Sequence, residues 1–533
     1  MHRAHPLNSS AFSPGEKWVV GIFSFLALLL HLLTNNRYGY FRDELYFIAC
    51  SHHLAAGYVD MAPLSAWLLR LELTLFGHSL FALRFFPAIA GALTVTLTGA
   101  IAHQLGGRAW AITLACLATA VAPIYLALGN IYSLNVFEPL FWMGCVSWLI
   151  GILNADAVAE ESSSEESISG SLPGRGGLLW LYFGLLAGLG VENKHSFVFF
   201  GVGLTIALLL TPARRHFARP WIWLGGLVAF VLILPNLLWQ FQHHWPTYEL
   251  LRNVAQSNKN VVLSPPAFIA QQILIVNPAA LPLWLAGLVW LFIARRYRAL
   301  AIAYLLTLVE FIILHGKVYY LAPIYPMLFA AGGVALERLC AQRWPWVKPT
   351  LAAIMIVLSA LIAPTVLPIL SPEKLVAYMR AIHFRPPRTE TSHNAALPQL
   401  FADQFGWEEM ARSVAWAYQR LSPHEQRMAG IFCQDYGQAG AVDFFGRKYG
   451  LPPALSGHQN YYLWGPRGYS GKLLLVLDAP GGDEPKQFRS VQDLGPVETS
   501  YWAMPWERRQ HIYLCRDLKI PLRKAWPQVK DWL

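Results

Sequence analysis

The sequence predicts an all-α polytopic membrane domain of about eleven transmembrane helices, followed by a soluble α/β domain. Three observations lead there. Of 533 residues, 55% are hydrophobic and only 14% are charged, against about 25% charged in an ordinary soluble domain. The apolar residues gather in runs long enough to cross a bilayer, which takes about 20 residues each. Near residue 372 these runs stop, and mixed segments with strand and amphipathic-helix patterns begin. The net charge of +10 is not a nucleic-acid signature, because Arg and Lys fall in short clusters between the apolar runs.

The expected spans lie near 18–34, 81–103, 109–127, 134–153, 178–192, 196–211, 221–242, 266–293, 299–314, 319–335 and 350–370. The first is followed by Thr34-Asn35-Asn36-Arg37 and not by a small-x-small cleavage site, so it reads as a retained helix. With the N-terminus inside, the inner loops carry Arg108; Arg214, Arg215 and Arg219; Arg295, Arg296 and Arg298; and Arg338, Arg343 and Lys348. Outer loops beyond the first are poor in basic residues, which fits the positive-inside rule. One inner loop, 154–177, is acidic and Ser-rich and is expected to be disordered.

The domain division is therefore 1–371 and 372–533, with a long first outer loop at 35–80 and the C-terminal domain on the outer side. In that domain 408–421 reads as an amphipathic helix. "AGIFCQD", "GKLLLVLD" and "HIYLCRDL" read as strands, with a helix in "QAGAVDFFGRKYG".

In so apolar a chain, ionisable residues near the membrane carry the information. The first outer loop opens with "FRDELYF", continues to "GYVDMAPL", and has two helical stretches, one from Glu44 and one from Leu64. Asp43 stands at the start of the first. Helix capping is the simpler explanation for it, but leaves Arg42, Glu44 and "GYVDMAPL" unexplained. "NIYSLNVFEPLFW" places Asn135 and Glu138 on one helical face. "GVENKHSF" supplies Lys194, and "HGKVYYLAPIYP" supplies Lys317, Tyr319 and Tyr320. Either lysine alone reads equally as an interfacial side chain reaching for water. Together, lysines and tyrosine hydroxyls suit a lipid-linked phosphate. A nearby carboxylate suits removal of a proton from an attacking hydroxyl. The chemistry is group transfer from a lipid phosphate to an acceptor.

On these segments the chain resembles the bacterial members of glycosyltransferase family 39 and the related aminoarabinose transferases of lipid A. Both belong to the GT-C class, with the protein O-mannosyltransferases. The resemblance covers about 20–335. "FRDELYF" with "GYVDMAPL" carries most of it, supported by "GLGVENKHS", "HGKVYYLAPIYPMLFAAGG" and "PNLLWQFQHHWPTYEL" (235–250). It implies a GT-C-type fold in a bacterial inner membrane. It also implies inverting transfer of a sugar from a polyprenyl-phosphate donor to a hydroxyl acceptor on the periplasmic face. Asp43 becomes the catalytic base or acceptor-positioning carboxylate, with Glu44 beside it. Lys194, Lys317 and Tyr320 become donor-phosphate residues, with Arg42 as a further one. Glu138 falls near the family's second acidic position, with Asn135 where relatives often carry Asp. The chain departs from the pattern at Met61-Ala62-Pro63, where many relatives have Lys-Pro-Pro or Pro-Pro. Some relatives bind a divalent metal near the catalytic loop. Glu44, His52 and His53 are the candidate ligands here, although adjacent histidines on a helix point apart.

The acceptor is expected to be a lipid, a glycan or a protein. "SGHQNYYLWGP" offers His458, Asn460, Tyr461 and Trp464, groups that sugars favour; an ordinary turn-rich loop is the alternative. Cys433 and Cys515, each near the end of a predicted strand in an oxidising compartment, are a candidate disulfide. The alternative function is a transporter or flippase of a lipid-linked sugar. Such folds usually show paired halves and midplane charges, whereas here no halves are evident and the polar residues lie at one interface. No nucleic-acid partner is expected, and membrane lipids surround the spans.

Overall fold

A computed structural model describes residues 11–163, 174–341, 343–388, 390–392 and 394–533. The chain divides into two compact units. The first comprises the described residues of Met1–Asn35, Arg84–Leu237 and Val262–Leu367. The second comprises Asn36–Leu83, Leu238–Val261 and Pro368–Leu533. The C-terminal domain expected from 372 onward thus shares its unit with the first loop and with a short segment around residue 250.

The first unit is helical. Its Pro14–Thr34 helix starts in a capping box between Ser13 and Glu16, with Pro14 in the first turn. Trp18, Ile22, Phe25 and Leu33 on it are exposed. The Pro220–Gln242 helix likewise bares Trp223, Leu227 and Phe230. An all-round apolar helix of this kind belongs in lipid. Among the described residues, six helices are long and apolar enough to cross a membrane, or eight if each of two bent pairs is one span. Length and composition therefore do not reach the expected eleven.

One expected span, 266–293, is in fact two helices, Pro265–Ile275 and Leu281–Ile293. They are bent by 98°. Asn277 sits at φ 78° and caps Ala279, and Pro278 has no N–H to continue the ladder, so the chain turns there. The expected disordered loop is shorter at both ends, because Leu134–Ser163 and Gly174–Asn193 are helical. Its centre, 164–173, lies outside the described residues. The Leu281–Ile293 and Tyr325–Leu339 helices cross at Gly287 and Gly332. A Cβ on either glycine would run into the other helix's backbone, at Leu328 and Leu283 respectively. Small residues at crossings let helix backbones touch in a membrane, where apolar burial gives no drive.

The second unit holds a four-stranded sheet: β1 Gly430–Cys433, β2 Leu473–Asp478, β3 Phe488–Pro496 and β4 His511–Leu518. Its order is β1-β2-β4-β3, with β1 and β2 parallel and the other pairs antiparallel. The Tyr436–Phe445 helix makes the β1-to-β2 crossover and is N-capped by Asp435, which accepts from the Gly437 and Gln438 N–H groups. Against it lies the Arg42–His52 helix of the first loop. A Cβ at Gly437 would meet the Arg42 side chain, and one at Gly440 would meet the Leu45 backbone. These two glycines, one turn apart, let the helices touch and leave Glu44 to Ser51 buried on every side. Cys433 and Cys515 do not pair. Both are free and buried. β2 lies between their strands, with Cys433 opposite Leu477 and Cys515 opposite Leu474. That separation is beyond the about 7 Å limit between Cα atoms of a disulfide.

Candidate functional site

In the first unit, three of the four expected phosphate residues, Lys194, Lys317 and Tyr320, gather around one buried ion pair, whereas Arg42 lies in the second unit beside Asp43. Lys194 follows the Gly174–Asn193 helix, and its Nζ reaches back to the start of the Leu134–Ser163 helix. It donates to Asn135 Oδ1 at 2.7 Å and to Glu138 Oε2 at 2.8 Å. Glu138 is 1% exposed, and its Oε1 accepts the Ser196 hydroxyl at 2.7 Å. The Tyr320 ring lies 4.0 Å beneath Nζ and that of Tyr319 5.9 Å away, a cation–π cradle. Tyr320 thus meets Lys194 with its ring face and not with its hydroxyl. Lys317, just before the Val318–Ile324 turn of helix, adds a second positive charge that Lys194 feels.

Beside Lys194 in sequence, Val191, Phe197 and Val198 line an apolar groove of about 370 Å³. Gly201, Thr205 and Ile233 extend it along the helices. A Cβ at Gly201 would meet nothing within 4 Å, so the groove stays open there.

In the second unit, Asp43 stands in the first turn of the Arg42–His52 helix with its side chain 35% exposed. Its Oδ1 accepts the Tyr436 hydroxyl at 2.7 Å. Arg42 Nε is 3.7 Å away, and the Arg42 guanidinium lies 5.5 Å from the Tyr436 ring centre. Burial pushes the Tyr436 hydroxyl well above the usual tyrosine range, so it stays a donor. Behind Arg42 is Asp403, 1% exposed, whose carboxyl is pushed up to about 7 by burial, against the pull of Arg42. Glu44 is turned inward. It is fully buried, and its Oε2 accepts the Phe41 N–H at 2.8 Å, the bond of a capping residue.

A second hydrogen-bond chain ties "GYVDMAPL" to the same helix. Tyr46 donates to Asp60 Oδ1 at 2.7 Å and accepts from Asn460 Nδ2 at 2.6 Å. Asn460 Oδ1 accepts the Val59 N–H at 3.2 Å. Burial raises the Asp60 carboxyl to about 6, with Tyr46 pulling it down. The segment expected to face a sugar is engaged in this bracing. His458 Nδ1 accepts the Tyr436 N–H, Tyr461 donates to Asp443, and Trp464 stacks on His53 at 4.2 Å.

Glu44, His52 and His53 do not come together. Glu44 holds Phe41, His52 meets Arg70, and His53 turns back to the Ala49 carbonyl. Among the described residues no three His, Cys, Asp or Glu side chains gather as a metal site. Sequence reasoning missed Tyr436, Tyr46 and Asp403. Tyr436 is 393 residues from Asp43, and no local spacing signals such a partner.

A protein-family model described as dolichyl-phosphate-mannose-protein mannosyltransferase matches residues 60–158 and 175–239. The lipid A galacturonosyltransferase RgtD of Rhizobium johnstonii is 27% identical over 240 residues, 44% of this chain and 45% of that protein. The match thus spans about half the length of that relative. In fold, the chain is similar to ArnT from Cupriavidus metallidurans in its apo state, with TM-score 0.61 and 15% identity over 94% of this chain and 98% of that one. The same ArnT bound to undecaprenyl phosphate gives 0.60 and 14% over 93% and 98%. The fold is that of ArnT: a mostly helical membrane part with a small C-terminal sheet domain. The family model covers about a third of the chain, and the likeness to ArnT is one of fold.

Proposed function

We propose that the chain transfers a sugar from a polyprenyl-phosphate donor to a hydroxyl of a lipid, glycan or protein acceptor on the periplasmic face of a bacterial inner membrane. The observation that carries this is a buried cation, Lys194, cradled by Tyr319 and Tyr320, whose sequence neighbours Val191, Phe197 and Val198 line an open apolar groove. A lipid phosphate asks for that combination, charge for its head and apolar surface for its tail. The capture of undecaprenyl phosphate by ArnT, which shares the fold, supports the same donor class.

In the proposed step the acceptor hydroxyl approaches Asp43. The Tyr436 hydroxyl holds Oδ1 of Asp43 and leaves the second oxygen to orient the hydroxyl and take its proton. The acceptor oxygen bonds to the sugar's anomeric carbon from the face opposite the phosphate. The bond from that carbon to the phosphate oxygen breaks, and its electron pair leaves with the polyprenyl phosphate, so the configuration inverts. Lys194 and Lys317 stabilise the charge growing on the phosphate.

The test is transfer from a radiolabelled polyprenyl-phosphate sugar in proteoliposomes. Asp43→Asn is expected to lose transfer by about a hundredfold or more while keeping donor binding, the scale of a general base. Glu44→Gln, which keeps an acceptor for Phe41, is expected to lose far less. Full transfer by Asp43→Asn would remove Asp43 from the mechanism.

A further inference from the structure

The Gly174–Asn193 and Pro220–Gln242 helices lie side by side, and their contacts rise in register. A Cβ at Gly184 would strike the Gly225 carbonyl, and one at Gly188 would meet Ala229 and Leu232. One turn further, Val191 and Ile233 line the apolar groove, with Phe197, Gly201 and Thr205 on its third side. The next contact is polar: His195 Nε2 lies 3.2 Å from Asn236 Oδ1. Asn236 follows His195 by 41 residues, the spacing of the Gly184–Gly225 and Gly188–Ala229 contacts as well, so the two helices run parallel up to this pair. Asn236 is three residues past Ile233 and faces the same side of its helix. The His195–Asn236 pair therefore closes one end of the groove.

The chemistry of that end is set by the histidine. His195 is half-buried in the turn between two helices. The Asn236 oxygen only accepts, so Nε2 carries the ring proton and Nδ1 keeps its lone pair. Burial lowers the ring's pKa, against the pull of Asn236, and holds it neutral. Among the described residues Nδ1 has no hydrogen-bond partner, and it is not sealed off. A bare ring nitrogen does not suit a phosphodiester, whose oxygens are acceptors too. It asks for a donor, and a sugar supplies hydroxyls. Lys194, the preceding residue, turns the other way, to Asn135 and Glu138.

We propose that His195 is a specificity-determining residue: its Nδ1 accepts a hydroxyl of the donor's sugar, while Asn236 fixes the ring at the end of the groove that takes the prenyl chain. This rests on the polyprenyl-phosphate donor proposed above, and adds the group that tells the sugar-bearing lipid from the bare lipid phosphate. The lipid product of transfer lacks that hydroxyl and so leaves more readily.

The experiment measures equilibrium binding of the full chain in neutral detergent to undecaprenyl phosphate, bare or carrying glucose, mannose or galacturonic acid. It is repeated on His195→Asn, whose side-chain oxygen stands near the place of Nδ1, and on His195→Gln, whose amide nitrogen stands near that of Nε2. The wild-type chain is expected to bind at least one sugar-bearing lipid more tightly than the bare one. His195→Asn is expected to keep that margin. His195→Gln keeps the bond to Asn236 and is expected to lose about three- to tenfold of the margin, the scale of one neutral hydrogen bond, with affinity for the bare lipid unchanged. The reverse order would make His195 only a brace for Asn236 and overturn the proposal. A margin kept by both variants would overturn it, as would an equal loss for bare and sugar-bearing lipids or a wild-type chain to which none of the sugars adds affinity. A wild-type chain that binds none of the four lipids would instead remove the polyprenyl-phosphate donor itself, and this inference with it.

Discussion

Lys194→Met is the natural probe of donor binding, and the structure predicts that it does more than remove a phosphate ligand. The Lys194 and Glu138 side chains are 12% and 2% exposed and their charged atoms are 2.8 Å apart. Removing the lysine leaves a buried carboxylate that still accepts the Ser196 hydroxyl at 2.7 Å. Breaking a buried pair from one side costs about 3–5 kcal/mol, because the remaining charge is stranded. Adding Glu138→Gln removes that charge, and the amide can still meet Ser196 and Asn135. The double variant is expected to regain all but about 1–2 kcal/mol, a coupling well above what distant sites show. Donor affinity separates differently. Lys194→Met and the double variant should both lose about 1.5–3 kcal/mol, roughly ten- to a hundredfold, while Glu138→Gln alone keeps the lysine and the affinity. Unfolding in a denaturing-detergent titration reads the first quantity, and equilibrium binding of polyprenyl phosphate reads the second. A double variant no more stable than Lys194→Met would refute the buried pair. A double variant with wild-type donor affinity would refute Lys194 as the phosphate ligand.

Tyr436→Phe removes the hydroxyl that holds Asp43 at 2.7 Å, and transfer should fall by about tenfold, with donor affinity unchanged; a change in donor affinity alone would contradict this. The Asp403 carboxyl, raised from 3.8 to about 7, binds its proton more tightly in the folded chain. Its contribution to stability is therefore full below about pH 4 and is lost as pH rises through 7. Asp403→Asn should flatten the fall in thermal stability between pH 4 and 8, and equal slopes in both proteins would count against it. Thiol titration in denaturant should give the same count with and without reductant, since Cys433 and Cys515 are free.

Much of this architecture was legible because apolar runs and charge placement are local signals. The helices at 42–52, 64–76 and 407–419 and three of the four strands fall where periodicity puts them. β3 was not legible. Its residues, "FRSVQDLGP", form an edge strand that is mostly exposed, so they carry no apolar alternation. The break at Asn277 was hidden inside a continuous apolar run, where composition says nothing of direction. The Lys194–Asn135–Glu138 grouping was partly legible, because helical spacing put Asn135 and Glu138 on one face. Glu44 was misjudged in kind. In the sequence it stands beside Asp43 as an equal, yet successive helical residues point about 100° apart. One carboxylate reaches the Tyr436 hydroxyl, and the other turns inward to cap Phe41.

The placement of Asp43 shows why a division at residue 371 misleads. The membrane runs end near there, so composition draws the boundary there. The forces that fix Asp43 do not respect it. Gly437 and Gly440 have no side chains and so admit the Arg42–His52 helix to backbone contact. Tyr436 then reaches Asp43, Asn460 fastens Tyr46 and Val59, and His458 steadies the Tyr436 backbone. Tyr436 lies 393 residues along the chain from Asp43, and Asn460 lies 414 from Tyr46 and 401 from Val59. The C-terminal sheet unit is thus the scaffold of the first loop. "SGHQNYYLWGP" takes part in that scaffold through the very amide, imidazole and aromatic groups that made it look like a sugar platform. A carboxylate proposed to meet a hydroxyl must be held still, and in this chain the residues that hold it come from the part the sequence sets apart.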